Sequence, residues 1–264
     1  MKKIIAANWK NNGDKKFIKN YFEYFSKNLN NTNKNEIIFF PPDLYMDQVD
    51  KYKKQSNFRL GGQTLNTAGS DSDGSDLVLT SGTSSEMYID NGCSYILIGH
   101  SEIRQFSNFL IDGPKMDRGL TESETIILAL QGSDSLQVIF CVGENEDDKN
   151  AGDTHTILSE QLDDLCYLKV KPKKFIVAYE PVWAIGSGKI PTLEDISFIH
   201  RFIKSSILEK LSSLKEKDIM VLYGGSVNLK NAKDILCAPH VDGVLIGGAS
   251  LKVKEFTSIC NLKI

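Results

Sequence analysis

Residues 175–189 read FIVAYEPVWAIGSGK, an uninterrupted apolar run that changes abruptly into a segment rich in glycine and proline. Five apolar residues in succession, without polar alternation, are typical of a parallel strand that is buried on both faces. Glu180 and Pro181 then end the strand and begin a loop. Similar runs occur at Ile4–Ala7, Ile37–Phe40, Phe58–Gly61, Tyr95–Ile98, Val138–Val142, Met220–Tyr223 and Val244–Ile246.

Segments with helical periodicity lie between the apolar runs. Apolar residues recur three and four positions apart in the first (Phe17, Tyr21, Tyr24, Phe25), the fifth (Ile157, Leu158, Leu162, Leu165) and the sixth (Ile196, Ile199, Phe202, Ile203, Ile207, Leu211). Thr192, Asp43 and Ser84 stand where N-caps are expected. The eight strand–helix repeats predict an α/β protein, with one (β/α)8 barrel of eight parallel strands over residues 1–264. A doubly wound open sheet is the alternative, although no G-x-G-x-x-G follows the first strand.

The composition argues against several classes of protein. The 264 residues carry 31 basic and 34 acidic side chains, a formal net charge of −3, whereas nucleic-acid binders normally have a basic excess. No apolar run approaches the ~18 residues of a membrane span, and Lys2–Lys3 precedes a strand rather than the apolar core of a signal peptide. Five widely spaced cysteines without a C-x-x-C pair indicate reduced thiols and no metal site. We therefore expect a soluble protein of a reducing compartment.

Polar residues follow several predicted strands at their carboxyl ends, where barrel enzymes carry their active sites. Asn8 and Lys10 follow the first strand, His100 and Glu102 the fourth, and Glu180 the sixth. Glu180 is either a partly buried base or a surface glutamate, and His100 either a catalytic acid or a structural histidine. Lys10 either binds an anion or is simply exposed. The convergence of these residues at one end favours a catalytic site.

Two glycine-rich turns follow the last two strands, as Gly224-Gly225-Ser226 and Gly247-Gly248. Small residues let backbone N–H groups approach an anion, and a helix N-terminus adds positive potential. The loops after strands 7 and 8 are the usual phosphate site of such barrels. One turn alone would be explained by ordinary turn chemistry, but two adjacent ones favour phosphate. The segment Pro181–Lys189, with glycines near its end, is typical of a lid between two hinges.

Five motifs, in order along the whole chain, closely resemble the triosephosphate isomerase family. They are AANWK (Ala6–Lys10), YILIGHSE (Tyr95–Glu102), VAYEPVWAIGSGK (Val177–Lys189), YGGSV (Tyr223–Val227) and DGVLIGGASL (Asp242–Leu251). The resemblance implies a TIM barrel that interconverts dihydroxyacetone phosphate and D-glyceraldehyde 3-phosphate through an enediolate. It also implies an enzyme that uses no metal and no organic cofactor. We expect a cytoplasmic location, with a processed, organelle-targeted form as the alternative. The alternatives are another phosphosugar isomerase and a non-catalytic phosphate-binding barrel with an interaction or regulatory role.

The resemblance also implies a role for each matched residue. Glu180 matches the base that moves a proton between two substrate carbons, and His100 matches a neutral imidazole that polarises the carbonyl. Lys10 matches the lysine that attracts the dianionic substrate and stabilises developing negative charge. Asn8 matches an asparagine that orients a substrate oxygen, and Glu102 the glutamate that pairs with the lysine.

Further matches concern the phosphate, the lid and the supporting residues. The implied phosphate ligands are backbone N–H groups of Gly186, Ser226, Gly247 and Gly248, beside the side chains of Asn8 and Lys10. The implied lid comprises Pro181, Val182, Trp183, Ala184, Ile185, Gly186, Ser187, Gly188 and Lys189. Ile185 and Leu245 match an apolar pair that closes over the base and excludes water. Cys141 and Glu144 match residues of the fifth strand that we interpret as structural support.

The third βα loop departs from the family. The family's T-G-E-x-S reads TSGTS at residues 80–84, without the glutamate, and the polar insert Ser70–Asp76 lengthens the loop. Ile103 replaces the arginine that pairs with that glutamate, so both partners of one salt bridge are absent together. Losing only one of the two partners would leave the other as a partly buried charge without a partner, at a cost of roughly 3–5 kcal/mol. Because the family dimerises through this loop, we expect a homodimer that uses Thr80, with an altered interface.

Overall fold

The computed structural model describes residues 2–30, 34–65, 82–104, 136–168 and 172–264. Its parallel strands form a closed barrel, in which each strand pairs with the next along the chain and the last pairs with the first. The strands are β1 (Ile4–Asn8), β2 (Glu36–Phe40), β3 (Arg59–Gly62), β4 (Cys93–Ile98), β5 (Gln137–Val142), β6 (Phe175–Tyr179), β7 (Ile219–Tyr223) and β8 (Gly243–Ile246). The (β/α)8 TIM barrel is therefore confirmed, and the open doubly wound sheet is wrong because the sheet closes on itself.

Helices surround the barrel and connect its strands. In the described part of the chain they are α1 (Lys15–Asn28), α2 (Met46–Asp50), α3 (Lys53–Ser56), α4 (Ser85–Asp90), α5 (Glu146–Ala151), α6 (Thr154–Asp163), α7 (Leu193–Lys210), α8 (Ala232–Cys237) and α9 (Val253–Cys260). Short 3₁₀ turns occupy Asp43–Tyr45, Asp164–Tyr167, Val182–Ala184, Glu216–Asp218 and Gly248–Leu251. None of these helices is long and apolar enough to cross a membrane.

Two of the three predicted helix caps are confirmed. The Thr192 side chain accepts the N–H of Asp195 at the start of α7, and the Ser84 side chain accepts that of Met87 in α4. The prediction for Asp43 is wrong, because this residue lies inside a 3₁₀ turn. Its carboxylate instead accepts the hydroxyls of Thr83 and Tyr88, at 2.7 and 2.8 Å. Asp43 therefore ties the turn after β2 to the segment that follows β3.

The core has two layers because successive strand residues point to opposite faces. The inward side chains fill the barrel, and they are Ile4, Ala6, Ile38, Phe40, Tyr95, Leu97, Ile139, Cys141, Ile176, Ala178, Leu222 and Leu245. The alternate strand residues, such as Ile5 and Phe39, pack against the helices. Burial of each large apolar side chain contributes about 1.5–3 kcal/mol. Both faces of the strands are thus apolar, which explains their continuous apolar sequences.

The buried face of α1 differs slightly from its prediction. Ile18 and Phe22 are fully buried, whereas Phe17 and Tyr24 are only half-buried. Trp9, directly after β1, is fully buried and lies 5.1 Å from the ring of Tyr21, between ring centroids. This aromatic packing fixes the chain where it leaves β1, immediately before Lys10.

Candidate active site

A cleft of about 490 Å³ opens at the carboxyl ends of the strands. Most residues that the sequence predicts for the site line this cleft, namely Asn8, Lys10, His100, Glu180, Ile185, Gly186, Ser226, Leu245, Gly247 and Gly248. Glu102 contacts the cleft indirectly, because its carboxylate forms an ion pair with the ammonium of Lys10. Residues up to 240 positions apart in the chain therefore meet in one cleft, as the barrel topology requires.

Glu180 stands directly after β6 and is 2% exposed, so it is not a surface glutamate. Its backbone N–H donates to the carbonyl of Val142, at 2.7 Å, which continues the pairing between β5 and β6. One carboxylate oxygen, Oε2, accepts the backbone N–H of Ser101 at 3.0 Å. The other, Oε1, lies 3.1 Å from Nε2 of His100. Burial and two polar contacts thus hold the carboxylate in one orientation.

His100 is also buried, and its two ring nitrogens have different partners. Nδ1 accepts the backbone N–H of Glu102, at 3.2 Å, within the helical residues 101–104. This hydrogen bond needs a lone pair on Nδ1, so it favours the neutral imidazole with its proton on Nε2. The Nε2–H group then donates to Glu180. The arrangement places an imidazole N–H group beside a carboxylate.

Lys10 has a left-handed backbone, with φ of 51°. This conformation costs a residue other than glycine roughly 1–2 kcal/mol, and surrounding hydrogen bonds hold it. The Lys10 N–H donates to Oδ1 of Asn8 at 3.0 Å, and its carbonyl accepts Nε2 of Gln63 at 2.9 Å. The Lys10 ammonium lies 2.5 Å from Oε1 of Glu102. Asn8 therefore positions the Lys10 backbone, and Glu102 restrains its charge.

Gln63 is a site residue that the sequence reasoning missed. Its side-chain amide donates to the carbonyls of both Lys10 and Phe40, at 2.9 Å each, and so joins the ends of β1 and β2. Gln63 follows β3 directly, so the rule that selects polar residues at strand ends could have found it. Asn12 and Asn228, which line the cleft themselves, are likewise not predicted from the sequence.

The segment Pro181–Lys189 lies over one side of the cleft, and its first residues are anchored to Glu144, which follows β5. The Val182 N–H donates to the carbonyl of Glu144 at 2.9 Å, and Nε1 of Trp183 donates to the Glu144 carboxylate at 2.8 Å. Burial raises the pKa of Glu144, although the hydrogen bonds from Trp183 and Tyr179 oppose this shift. Glu144 is thus the structural support that the sequence predicted.

The last residues of the same segment are held less tightly. Lys189 forms an exposed ion pair with Glu146 of α5, at 2.7 Å. Gly186 and Gly188 have φ of 66° and 77°, and a Cβ atom at either position would contact nothing within 4 Å. Their backbone conformation, rather than crowding, therefore accounts for glycine. One tight anchor and one loose end are compatible with a moving lid.

The third-loop predictions fall mostly outside the described residues, Thr80 included. The described part shows Ile103 46% exposed, which is unusual for isoleucine. Arg104 donates to the carbonyl of Cys141 at 2.5 Å, so it joins the ends of β4 and β5. Cys141 itself is buried inside the barrel.

Within the described ranges, no three His, Cys, Asp or Glu side chains are arranged to hold a metal ion.

A closed parallel barrel that gathers a carboxylate, an imidazole and a lysine at the carboxyl ends of its strands defines a (β/α)8-barrel enzyme. The sequence model described as Triosephosphate isomerase matches residues 3–263. The chain belongs to the triosephosphate isomerase family, and it is accordingly an isomerase.

Curated relatives agree with this assignment over nearly their full length. A triosephosphate isomerase of Francisella tularensis subsp. mediasiatica (strain FSC147) is 37% identical over 263 residues, which cover 99% of this chain and 97% of the relative. A triosephosphate isomerase of Shewanella frigidimarina (strain NCIMB 400) is 34% identical over 266 residues, with 98% and 96% covered.

Proposed function

We propose that this chain interconverts dihydroxyacetone phosphate and D-glyceraldehyde 3-phosphate, in glycolysis and gluconeogenesis, with Glu180 as the base. The observation that carries the proposal is the contact between Glu180 and a neutral His100 inside a cleft that also contains Lys10. Membership of the family supports the reaction, and the geometry supports the roles. A non-catalytic phosphate-binding barrel would have no use for this buried acid–base pair.

Substrate binding needs local positive charge, because the protein's net charge of −3 repels a phosphate dianion. Lys10 supplies a fixed cation at the cleft. The backbone N–H groups of Gly186, Ser226, Gly247 and Gly248 hold the phosphate in this proposal. Asn8 and Lys10 together orient the substrate oxygens next to His100.

Proton transfer follows from the positions of Glu180 and His100. When substrate binds, one carboxylate oxygen of Glu180 gives up its hydrogen bond to the protein. It then takes the proton from carbon 1 of dihydroxyacetone phosphate. The electron pair of the broken C–H bond forms the C1–C2 double bond, and the former carbonyl oxygen becomes an enediolate oxygen. The Nε2–H of His100 and the Lys10 ammonium stabilise that oxygen. Proton transfer between the two oxygens through His100, and return of the carbon proton to C2 by Glu180, give the aldehyde.

Closure of the lid, residues Pro181–Lys189, completes the proposal. Ile185 and Leu245, which both line the cleft, would then cover Glu180 with apolar surface. Excluding water strengthens the electrostatic interactions of the site. It also protects the enediolate, because an exposed enediolate phosphate readily eliminates its phosphate group.

We include a homodimer in the proposal, with Thr80 at the contact. Leu44 after β2, Met87 in α4 and Ile103 after β4 are 84%, 58% and 46% exposed. They belong to three consecutive units of the barrel, those on either side of the third loop and the loop's own, and apolar side chains exposed in one region are typical of interfaces. Light scattering should give a dimer at micromolar concentration and a monomer for Leu44→Lys. A wild-type monomer that is fully active at that concentration would contradict the proposal.

A cytoplasmic location is also part of the proposal. It is supported by the cysteines, since none of Cys93, Cys141, Cys166, Cys237 and Cys260, which all lie in the described ranges, forms a disulfide bond. Several cysteines without disulfides are typical of reducing compartments.

A coupled isomerase assay tests the proposed reaction. Wild-type protein should turn over both triose phosphates, and Glu180→Gln should lose on the order of 10²–10⁴ in rate, as expected for a general base. Glu160→Gln, a matched change at an exposed residue of α6, should keep wild-type activity. No turnover by the wild type, or equal rates for the wild type and Glu180→Gln, would overturn the proposal.

A further inference from the structure

A second cleft, of about 650 Å³, opens at the amino ends of the strands, on the side of the barrel opposite the candidate active site. We call it the basal cleft. Five lysines from four separate parts of the chain line it, namely Lys2, Lys3, Lys174, Lys204 and Lys217. Three acidic residues, Glu36, Glu216 and Asp242, share the lining. The basal cleft therefore has two more positive than negative side chains, in a protein whose net charge is −3.

Two of the three acidic residues are already engaged by the protein. The Asp242 carboxylate lies 2.8 Å from the Lys204 ammonium and also accepts the backbone N–H of Val221 at 2.8 Å. Glu36 lies 3.1 Å from the Lys2 ammonium. These ion pairs neutralise the charges of Lys2 and Lys204. The excess positive charge of the cleft therefore comes from the other three lysines, Lys3, Lys174 and Lys217.

Lys174 and Lys217 carry the solvent-exposed part of this excess positive charge. Neither forms an ion pair or a side-chain hydrogen bond with any residue that the structure describes. Each ammonium therefore keeps three free donors, which can reach an anion in the cleft without breaking a contact. Glu216 is also exposed, and its negative charge opposes theirs.

Lys3 adds a partly buried positive charge to the surplus. Its ammonium donates to the carbonyl of Val241 at 2.5 Å, which satisfies one of three donors. Burial lowers the pKa of Lys3, and the neighbouring charge of Lys204 acts in the same direction, whereas Asp242 opposes it. The protein alone therefore stabilises this charge incompletely. An anion in the basal cleft would compensate it.

We propose that the basal cleft binds a polyphosphate group, either free or as part of a nucleoside triphosphate. The cleft is far larger than one phosphate, and its lysines come from separate segments, so it suits several linked anionic groups. Lysine is a compact cation that binds phosphate oxygens as a point charge. The proposed site does not depend on the proposed function, because it shares no residue with the active-site cleft.

An amide NMR titration of the whole protein tests the site. The probes are inorganic tripolyphosphate and adenosine triphosphate, each without magnesium and at constant ionic strength. Ile4 and Asp242, whose backbones pair at 3.0 Å, report on the basal cleft, while Gly186 and Gly247 report on the active-site cleft. We expect saturable shifts at the basal amides. Binding of tripolyphosphate alone would assign a free polyphosphate, and tighter binding of the nucleotide would assign a nucleoside triphosphate.

Matched variants separate a built site from general attraction. Lys174→Gln with Lys217→Gln should weaken basal binding by about tenfold or more, because two ionic contacts are lost. Lys16→Gln with Lys27→Gln makes the same charge change on exposed residues of α1 and should leave binding unchanged. Glu216→Gln should tighten binding, since it removes the opposing charge.

Two results would overturn the proposal. One is an absence of saturable shifts at the basal amides of the wild type. The other is equal weakening by the α1 pair and by the basal pair, which would show non-specific attraction. The proposed reaction is tested by the isomerase assay instead, so the two proposals can fail separately.

Discussion

Nε2 of His100 lies 3.1 Å from Oε1 of Glu180, and both side chains are buried at the mouth of the barrel. Because the Glu102 N–H donates to Nδ1, the proton of the imidazole is placed on the nitrogen that faces Glu180. The relationship joins residues 80 positions apart. It places a carboxylate and an imidazole next to each other in the cleft.

The first prediction concerns the tautomer of His100. Nitrogen NMR of labelled protein at neutral pH should show a protonated Nε2 and an unprotonated Nδ1, because Nδ1 accepts a backbone N–H. Comparison with a His100→Gln spectrum assigns the signals. Two protonated nitrogens, or protonation at Nδ1 alone, would contradict the structural assignment.

The second prediction concerns the charge of Lys10. Lys10→Met should lower kcat/KM by about 10²–10³, since a fixed cation beside the developing oxyanion is lost. The fold should be retained, because Asn8 and Gln63 contact only the backbone of Lys10. Lys16→Met, an exposed change on α1, serves as the control in steady-state assays. A decrease of less than tenfold for Lys10→Met would argue against its role.

The barrel could be predicted from the sequence because its signal is local. Each strand is buried on both faces, so β6 and β7 show continuous apolar runs. The pattern marks the strand ends less sharply, and β3 begins at Arg59 rather than Phe58. Phe58 is apolar because it packs against Phe39 outside the barrel, with ring centroids 4.9 Å apart. An apolar residue next to a strand is indistinguishable by pattern from one inside it.

The site was predicted only as far as residue type and strand end allow. Glu180, His100 and Lys10 are chemically conspicuous residues at strand ends, and the structure brings them into one cleft. The Ser101 N–H that holds Glu180 is a backbone group, and no side-chain pattern reveals it. The Gln63 side chain donates a hydrogen bond to the carbonyl of Lys10, which lies 53 residues earlier in the chain. Such long-range contacts depend on how strands lie next to each other in the barrel, which a single sequence does not record.

The third prediction concerns the pH dependence of stability. Burial raises the pKa of Glu144 in the folded state above its usual 4.5, so the unfolded chain releases this proton at lower pH. Between the two pKa values the folded state binds more protons, and the free energy of unfolding falls as pH rises. The Glu144→Gln variant has no carboxyl group at this position, so it lacks this pH-dependent contribution. The wild type should therefore lose stability relative to the variant as pH rises above about 4.5.

Urea unfolding of both proteins across a pH series measures this difference. Glu160→Gln, at an exposed position, should show no such trend relative to the wild type. A constant difference between wild type and Glu144→Gln, or one of opposite slope, would show that Glu144 is not destabilised by its burial.

The fourth prediction concerns the close approach of Gly143 to Glu180. A Cβ atom at Gly143 would lie 1.8 Å from the Glu180 carbonyl oxygen, so one strand end would have to move. Gly143→Ala should lower the free energy of unfolding by about 1–3 kcal/mol and also reduce kcat. Gly152→Ala is the control, because a Cβ there meets nothing within 4 Å. It should lose roughly 1–2 kcal/mol from its left-handed backbone and keep its kcat.

Chemical denaturation and steady-state kinetics of these two variants measure both effects. If Gly143→Ala kept wild-type kcat, the strand end after β5 would not be what positions Glu180.

Proton exchange at the substrate carbon tests the central claim most directly. In deuterated water, the wild type should place deuterium on the carbon next to the carbonyl of the triose phosphates, because Glu180 exchanges its proton with solvent between transfers. Glu180→Gln should lose this incorporation by about 10²–10⁴, while Glu160→Gln keeps it. Incorporation by Glu180→Gln at the wild-type rate would contradict the account.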